Sequence, residues 1–121
     1  MLLAVLWFAT PTTAQATPPE IVHLMTRGDV VLPYLLLRNE PPPKVVAVLL
    51  SGGYGLLRLR QDEGGIAIDP AGVEFLVKSR ETFVDDETAV ALVDTPSDQI
   101  GIGLTPRFRK GGTHLDALGV L

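Results

Sequence analysis

An α/β fold is what the sequence predicts: an opening antiparallel hairpin followed by a βαβ unit of a mostly parallel sheet. Three observations lead there. Ile21 to Met25 and Val30 to Leu37 are strand-like runs separated by Thr26, Arg27, Gly28 and Asp29, the short glycine-bearing connection of a hairpin. Val45 to Leu50 is an apolar, β-branched run that passes directly into the turn Ser51, Gly52, Gly53, Tyr54 and Gly55. Thr88 to Thr95 is a second such run, and a helical pattern lies between the two, the arrangement of a right-handed crossover between parallel strands.

Each element has its own signal. Leu2 to Ala9 is uncharged, apolar and too short to span a bilayer, and Ala14, Gln15 and Ala16 give the small-residue pattern of a signal-peptidase site. Residues 1–16 are therefore expected to be a cleaved export signal, with a single domain over residues 17–121 that is exported to the periplasm or the exterior and keeps no stable membrane anchor. Thr17 to Glu20 is a proline-bearing lead. Pro33 assigns the second hairpin strand to an edge or a bulge, because proline cannot donate to a ladder. Asn39 to Pro43, with three successive prolines, reads as a stiff connector. The run from Val45 to Leu50 fits a strand buried on both faces.

Gln61 to Ile68 reads as a loop. Asp69 followed by Pro70 starts a helix, since aspartate caps free N–H groups and proline suits the first helical position. Val73, Leu76, Val77 and Arg80 continue it at helical spacing, and Asp85, Asp86 and Glu87 form an acidic turn. A last helix begins at Thr113, with Leu115, Leu118 and Leu121 as its apolar face.

Composition narrows the function classes. Fourteen acidic against ten basic residues give a net charge of −4, which argues against a general nucleic-acid or anionic-membrane binder. With no cysteine there are neither disulfides nor thiolate chemistry. An apolar content of 46% excludes a mainly disordered chain. No motif calls for a cofactor or a metal.

Chemistry is best sought at the glycine turn. Open α/β sheets bind ligands beyond the carboxyl ends of their strands, and glycines there let backbone N–H groups face a substrate oxygen. Ser51 to Gly55 thus reads as a cradle for an anion or oxyanion.

The order of elements from Ile21 to Leu121 resembles the amino-terminal part of the α/β-hydrolase superfamily, and more narrowly is similar to secreted bacterial α/β hydrolases of unassigned substrate. The local matches are LLSGGYG at residues 49–55, FLVKSRETFVDDETAVALVDTPSD at residues 75–98 and LTPRFRKGGTHLDAL at residues 104–118. In that superfamily the loop after the third strand supplies an oxyanion-hole N–H, often from a His-Gly-Gly-Gly type motif. Ser51 stands where its histidine would be. The resemblance therefore implies Gly53 and Tyr54 as backbone donors, with Ser51, Gly52 and Gly55 completing the loop. It also implies a small ester or acyl substrate for the complete protein.

The nucleophile elbow G-x-S-x-G is not in the chain, since none of Ser51, Ser79 or Ser97 sits in one. The acid and histidine normally follow the nucleophile, so the expectation is a truncated, incomplete α/β-hydrolase fold that is inactive alone. A noncatalytic secreted binding or interaction module is the alternative.

Other arrangements read more simply as structure. Ser51 with His23 or His114 and Asp94 has the residue types of a triad, but Asp94 fits a strand-end residue capping the next turn. Arg27, Gly28 and Asp29 spell an adhesion tripeptide that also suits a hairpin turn. Arg107, Arg109 and Lys110 read as solvated. Gly53, Gly55 and Arg58 imitate a dinucleotide fingerprint only in part.

Overall fold

The computed structural model describes residue 13 and residues 15–121. The apolar stretch Leu2 to Ala9 lies outside the described residues, as does Ala14. The strands are β1 (Gln15–Ala16), β2 (Glu20–Arg27), β3 (Val30–Leu37), β4 (Asn39–Glu40), β5 (Val45–Leu50), β6 (Arg60–Asp62), β7 (Gly65–Ala67) and β8 (Thr88–Val93). The helices are α1 (Phe75–Ser79), α2 (Pro106–Arg109) and α3 (Gly112–Leu118), with 3₁₀ turns at Pro70–Gly72 and Arg80–Phe83. The described residues form a mixed α/β fold, rich in strand and with few, short helices.

Four strands form the central sheet in the order β2-β3-β8-β5. The hairpin β2–β3 is antiparallel, as its short connection requires, with Ile21 opposite Leu35. β3 pairs antiparallel with β8, and β5 pairs parallel with β8 from Val45↔Thr88 to Leu50↔Val93. Parallel pairing is thus confined to one strand pair, and the sheet is not mostly parallel among the described residues.

Of the two apolar runs, only β8 is buried on both faces. Ala89 to Val93 are all buried, because β8 has a strand on each side and packed layers above and below. β5 has a similar composition but takes the sheet edge, where Val45, Val46 and Val48 are exposed at 58%, 52% and 43%. The expectation of a doubly buried strand there is corrected accordingly.

Pro33 corrects another expectation, since β3 is an interior strand. The Pro33 carbonyl accepts the Asp94 N–H at 2.9 Å, just past the end of β8. In an antiparallel ladder one residue's N–H and C=O face the same neighbour, so the rung that proline forfeits is a terminal one.

The connector Asn39 to Pro43 begins as a strand, since Gln15 and Ala16 pair with Glu40 and Asn39. The expected loop Gln61 to Ile68 is largely the hairpin β6–β7. Its turn is tightened by Asp62, whose Oδ1 accepts the Gly64 N–H at 2.9 Å.

The crossover helix starts where expected and then breaks. Asp69 caps the 3₁₀ turn by accepting the Ala71 N–H at 2.9 Å. Gly72 is a poor helix former, and Glu74 is extended (φ −103°, ψ −177°) before α1 begins. Val77 reaches the main core with Leu35, Leu37, Leu49, Leu57, Val90 and Leu92. A second cluster, Leu32, Val93 and Ala117, receives α3 on the sheet. That helix buries His114 and Ala117 and packs Leu118 against the cluster, as predicted for Leu118, while Leu115 (61%) is exposed and Leu121 (39%) lies past its end, so the inward face is only partly the one predicted.

Candidate functional site

Because β5 and β8 end in register, Ser51 and Asp94 step off neighbouring strand ends together. The turn after β5 closes through Gly55 N–H to Gly52 O at 3.0 Å. Gly53 takes the left-handed conformation (φ 55°) that a side chain would resist.

Hydrogen bonds then fix which way each peptide faces. Arg109 Nη2 donates to Ser51 O and Gly53 O, both at 2.9 Å, while its Nε donates to Leu104 O at 3.0 Å. Tyr54 O accepts the Leu104 N–H, and Gly55 O accepts the Thr95 hydroxyl at 2.8 Å. Every carbonyl from Ser51 to Gly55 is engaged. With the carbonyls held, the Gly53 and Tyr54 N–H groups have no acceptor among the described residues, and both residues are exposed.

The Gly52 N–H, beside them, is taken. Gly52 donates to Glu74 Oε2 at 2.9 Å, so the extended backbone at Glu74 brings a carboxylate from the crossover back to the turn. The two segments enclose a cleft of about 230 Å³ lined by Gly52, Gly53, Tyr54, Arg58, Asp69 and Glu74. Asp69 pairs with Arg58 at 2.9 Å. The Ala71 N–H, and after it the Arg58 guanidinium, holds the Asp69 carboxyl below the usual carboxylate range. It is therefore a charged group at neutral pH, not a proton donor.

Asp94 supports the site from behind. Its Oδ1 accepts from Leu57 N–H (2.9 Å) and Thr95 N–H (2.7 Å), and its Oδ2 from Leu59 N–H (2.8 Å). Arg58, between the two clasped leucines, is the one non-glycine residue of positive φ (48°) among the described residues. Such a conformation costs about 1–2 kcal/mol, which the carboxylate's charge-assisted bonds offset. Asp94 caps its own turn, as predicted, and in addition anchors the chain leaving the glycine turn.

His114 is buried in α3 with its ring against Phe108, centroids 5.4 Å apart. Burial, and secondarily the nearby Arg109 charge, pushes its pKa below the ordinary value. The unfolded chain takes up this proton near pH 6.5, whereas the folded chain does so only at lower pH. Folding stability from this residue is therefore complete above about pH 6.5 and is lost as pH falls towards the folded value. Urea midpoints measured between about pH 7 and pH 5 should fall on acidification, and His114→Phe should remove that part of the slope.

The triad residue types are not assembled. Ser51 is buried, its hydroxyl approaches Gly52 O at 3.4 Å, and among the described residues it bonds to no histidine. Both Asp94 oxygens are occupied by backbone N–H groups, and His23 lies exposed on β2. Arg27 of the RGD tripeptide pairs with Asp98. Arg109, expected to be solvated, instead turns inward and holds the carbonyls of the glycine turn. The basic stretch gave no sign that this member turns inward, although Thr105 and Pro106, a helix cap and first position, could have located α2. Among the described residues no group of three His, Asp or Glu could hold a metal, and no helix is long and apolar enough to cross a membrane.

No protein-family model matches the chain, and neither a curated protein nor a solved structure matches it.

Proposed function

We propose that the turn Ser51–Gly55 is the oxyanion-binding element of an exported serine hydrolase of the α/β-hydrolase type, which cleaves an ester or related acyl bond. The observation that carries this reading is the free pair of N–H groups at Gly53 and Tyr54, exposed beside a cleft at a strand's carboxyl end. Donors held in place before reaction stabilise charge that develops on a carbonyl oxygen, without reorganisation when it appears. The supporting bonds from Arg109, Leu104 and Thr95 supply that rigidity. The nucleophile and its histidine belong, on this reading, to sequence beyond these 121 residues.

The 121 residues alone should not turn over p-nitrophenyl acetate, whereas a polypeptide that continues into a G-x-S-x-G strand turn should. In that longer protein Tyr54→Pro, which deletes one donor, should lower kcat by about 10²–10³-fold with little change in KM. Turnover that Tyr54→Pro leaves untouched would sink the assignment. A second reading, a noncatalytic binding module, is favoured by the burial of the Ser51 hydroxyl, which among the described residues bonds to no histidine. It predicts ligand binding at the cleft with no turnover in any extended form.

A further inference from the structure

We infer that Glu74 is an internal ligand of the glycine turn, an autoinhibitory contact that keeps the turn closed to anions. The inference rests on the oxyanion reading of Gly53 and Tyr54 given above. Glu74 Oε2 accepts the Gly52 N–H at 2.9 Å, as the carboxylate of a bound molecule would. Its other oxygen stays close to the neighbouring residue, since an atom at the Cβ position of Gly53 would lie 3.3 Å from Glu74 Oε1. A Cβ at Gly52 would collide with the same carboxylate, so the contact needs the glycine.

The charge is not neutralised where it matters. Among the described residues Glu74 has no Lys or Arg partner, because the cleft's Arg58 is paired with Asp69. Arg109 brings a positive charge to the same turn but sits on its carbonyls, while Glu74 sits at the Gly52 N–H, next to the two where an acceptor would arrive. A second anion at Gly53 and Tyr54 meets an equal charge a few ångströms away, and so does a developing oxyanion. The turn becomes competent when Glu74 swings off. The residue is exposed and, among the described residues, its side chain is tied by a single bond, so no other described element has to move.

The test follows the Gly52, Gly53 and Tyr54 amide resonances of the 121-residue chain during titration with inorganic phosphate and with acetate. In the wild-type protein Gly53 and Tyr54 should respond weakly. In Glu74→Gln, which keeps the size and a neutral acceptor for Gly52, phosphate should bind at least about tenfold more tightly, and the gain should shrink at high salt. Glu74→Ala, which removes acceptor and charge together, should bring the Gly52 amide into the response as well. Equal phosphate affinity in wild type and both variants, with shifts at Gly53 and Tyr54, would overturn the autoinhibitory contact and leave the oxyanion reading standing. If neither amide moves in any of the three proteins, the reading fails and the contact with it.

Discussion

Asp94→Ala should destabilise the fold by about 3–4 kcal/mol, a large share of the roughly 5–15 kcal/mol available to a domain of this size. The carboxylate serves three N–H groups at once. Its loss leaves those of Leu59 and Thr95 without an acceptor, and each buried unsatisfied donor costs about 1–3 kcal/mol. Leu57 N–H keeps the weaker of its two acceptors, Gly55 O at 3.1 Å. Arg58 also loses the bonds that hold it at positive φ. Asp94→Asn should lie between the two proteins, because one amide oxygen can still serve Leu57 and Thr95 while the NH₂ group opposes the Leu59 N–H. Urea denaturation of the three proteins checks the order. A loss below about 1 kcal/mol for Asp94→Ala would show that the Leu57–Leu59 segment is held by packing instead.

Gly103→Ala is expected to cost about 2–4 kcal/mol and to disturb the candidate site directly. Gly103 is buried at φ 73°, where a side chain adds about 1–2 kcal/mol of strain. Its Cβ would lie 2.7 Å from both the backbone oxygen and the Cβ of Tyr54. Backbone cannot yield as a side-chain tip does, and overpacking of this kind adds about 1–3 kcal/mol. Tyr54 must move, and its free N–H moves with it. The same substitution at Gly101, which has open space around it and no positive φ, should change stability by less than about 0.5 kcal/mol. Thermal melts of the two variants, with the Tyr54 amide shift as a local probe, separate the outcomes. Equal melting temperatures would mean that the 99–104 turn relaxes without touching Tyr54.

Local signals were legible where one physical cause acts alone. The hairpin between Met25 and Val30, the Asp69–Pro70 start and the glycine turn after Leu50 depend on short-range backbone geometry, and all three stand in the structure. The buried run Thr88 to Val93 was legible because two covered faces demand an uninterrupted apolar sequence. Val45 to Leu50 carries the same signal and lies at the edge, since composition does not record which strand ends up beside which. The face of α3 was legible only in part: Leu118 packs inward as expected, but seven residues are too few for periodicity to choose between Leu115 and His114.

For the site, the glycine turn that carries Gly53 and Tyr54 is legible in the sequence, and the structure adds that their N–H groups have no acceptor among the described residues. The residues that set their orientation were not legible. Glu74 is 22 residues from its partner Gly52, and Arg109 is 58 from Ser51. A charged residue in a loop reads as solvated until a carbonyl or an N–H is brought to it.

By itself, then, the sequence determined an opening hairpin, two apolar strands and a glycine turn at the end of one of them, because φ/ψ preferences and hydrophobic runs act over a few residues. Only the tertiary structure decided that β5 is an edge, that Pro33 lies in the sheet interior, and that Asp94, Arg109 and Glu74 converge on the turn. Those outcomes depend on strand order and on hydrogen bonds closed across 22 to 58 residues, which no local pattern encodes.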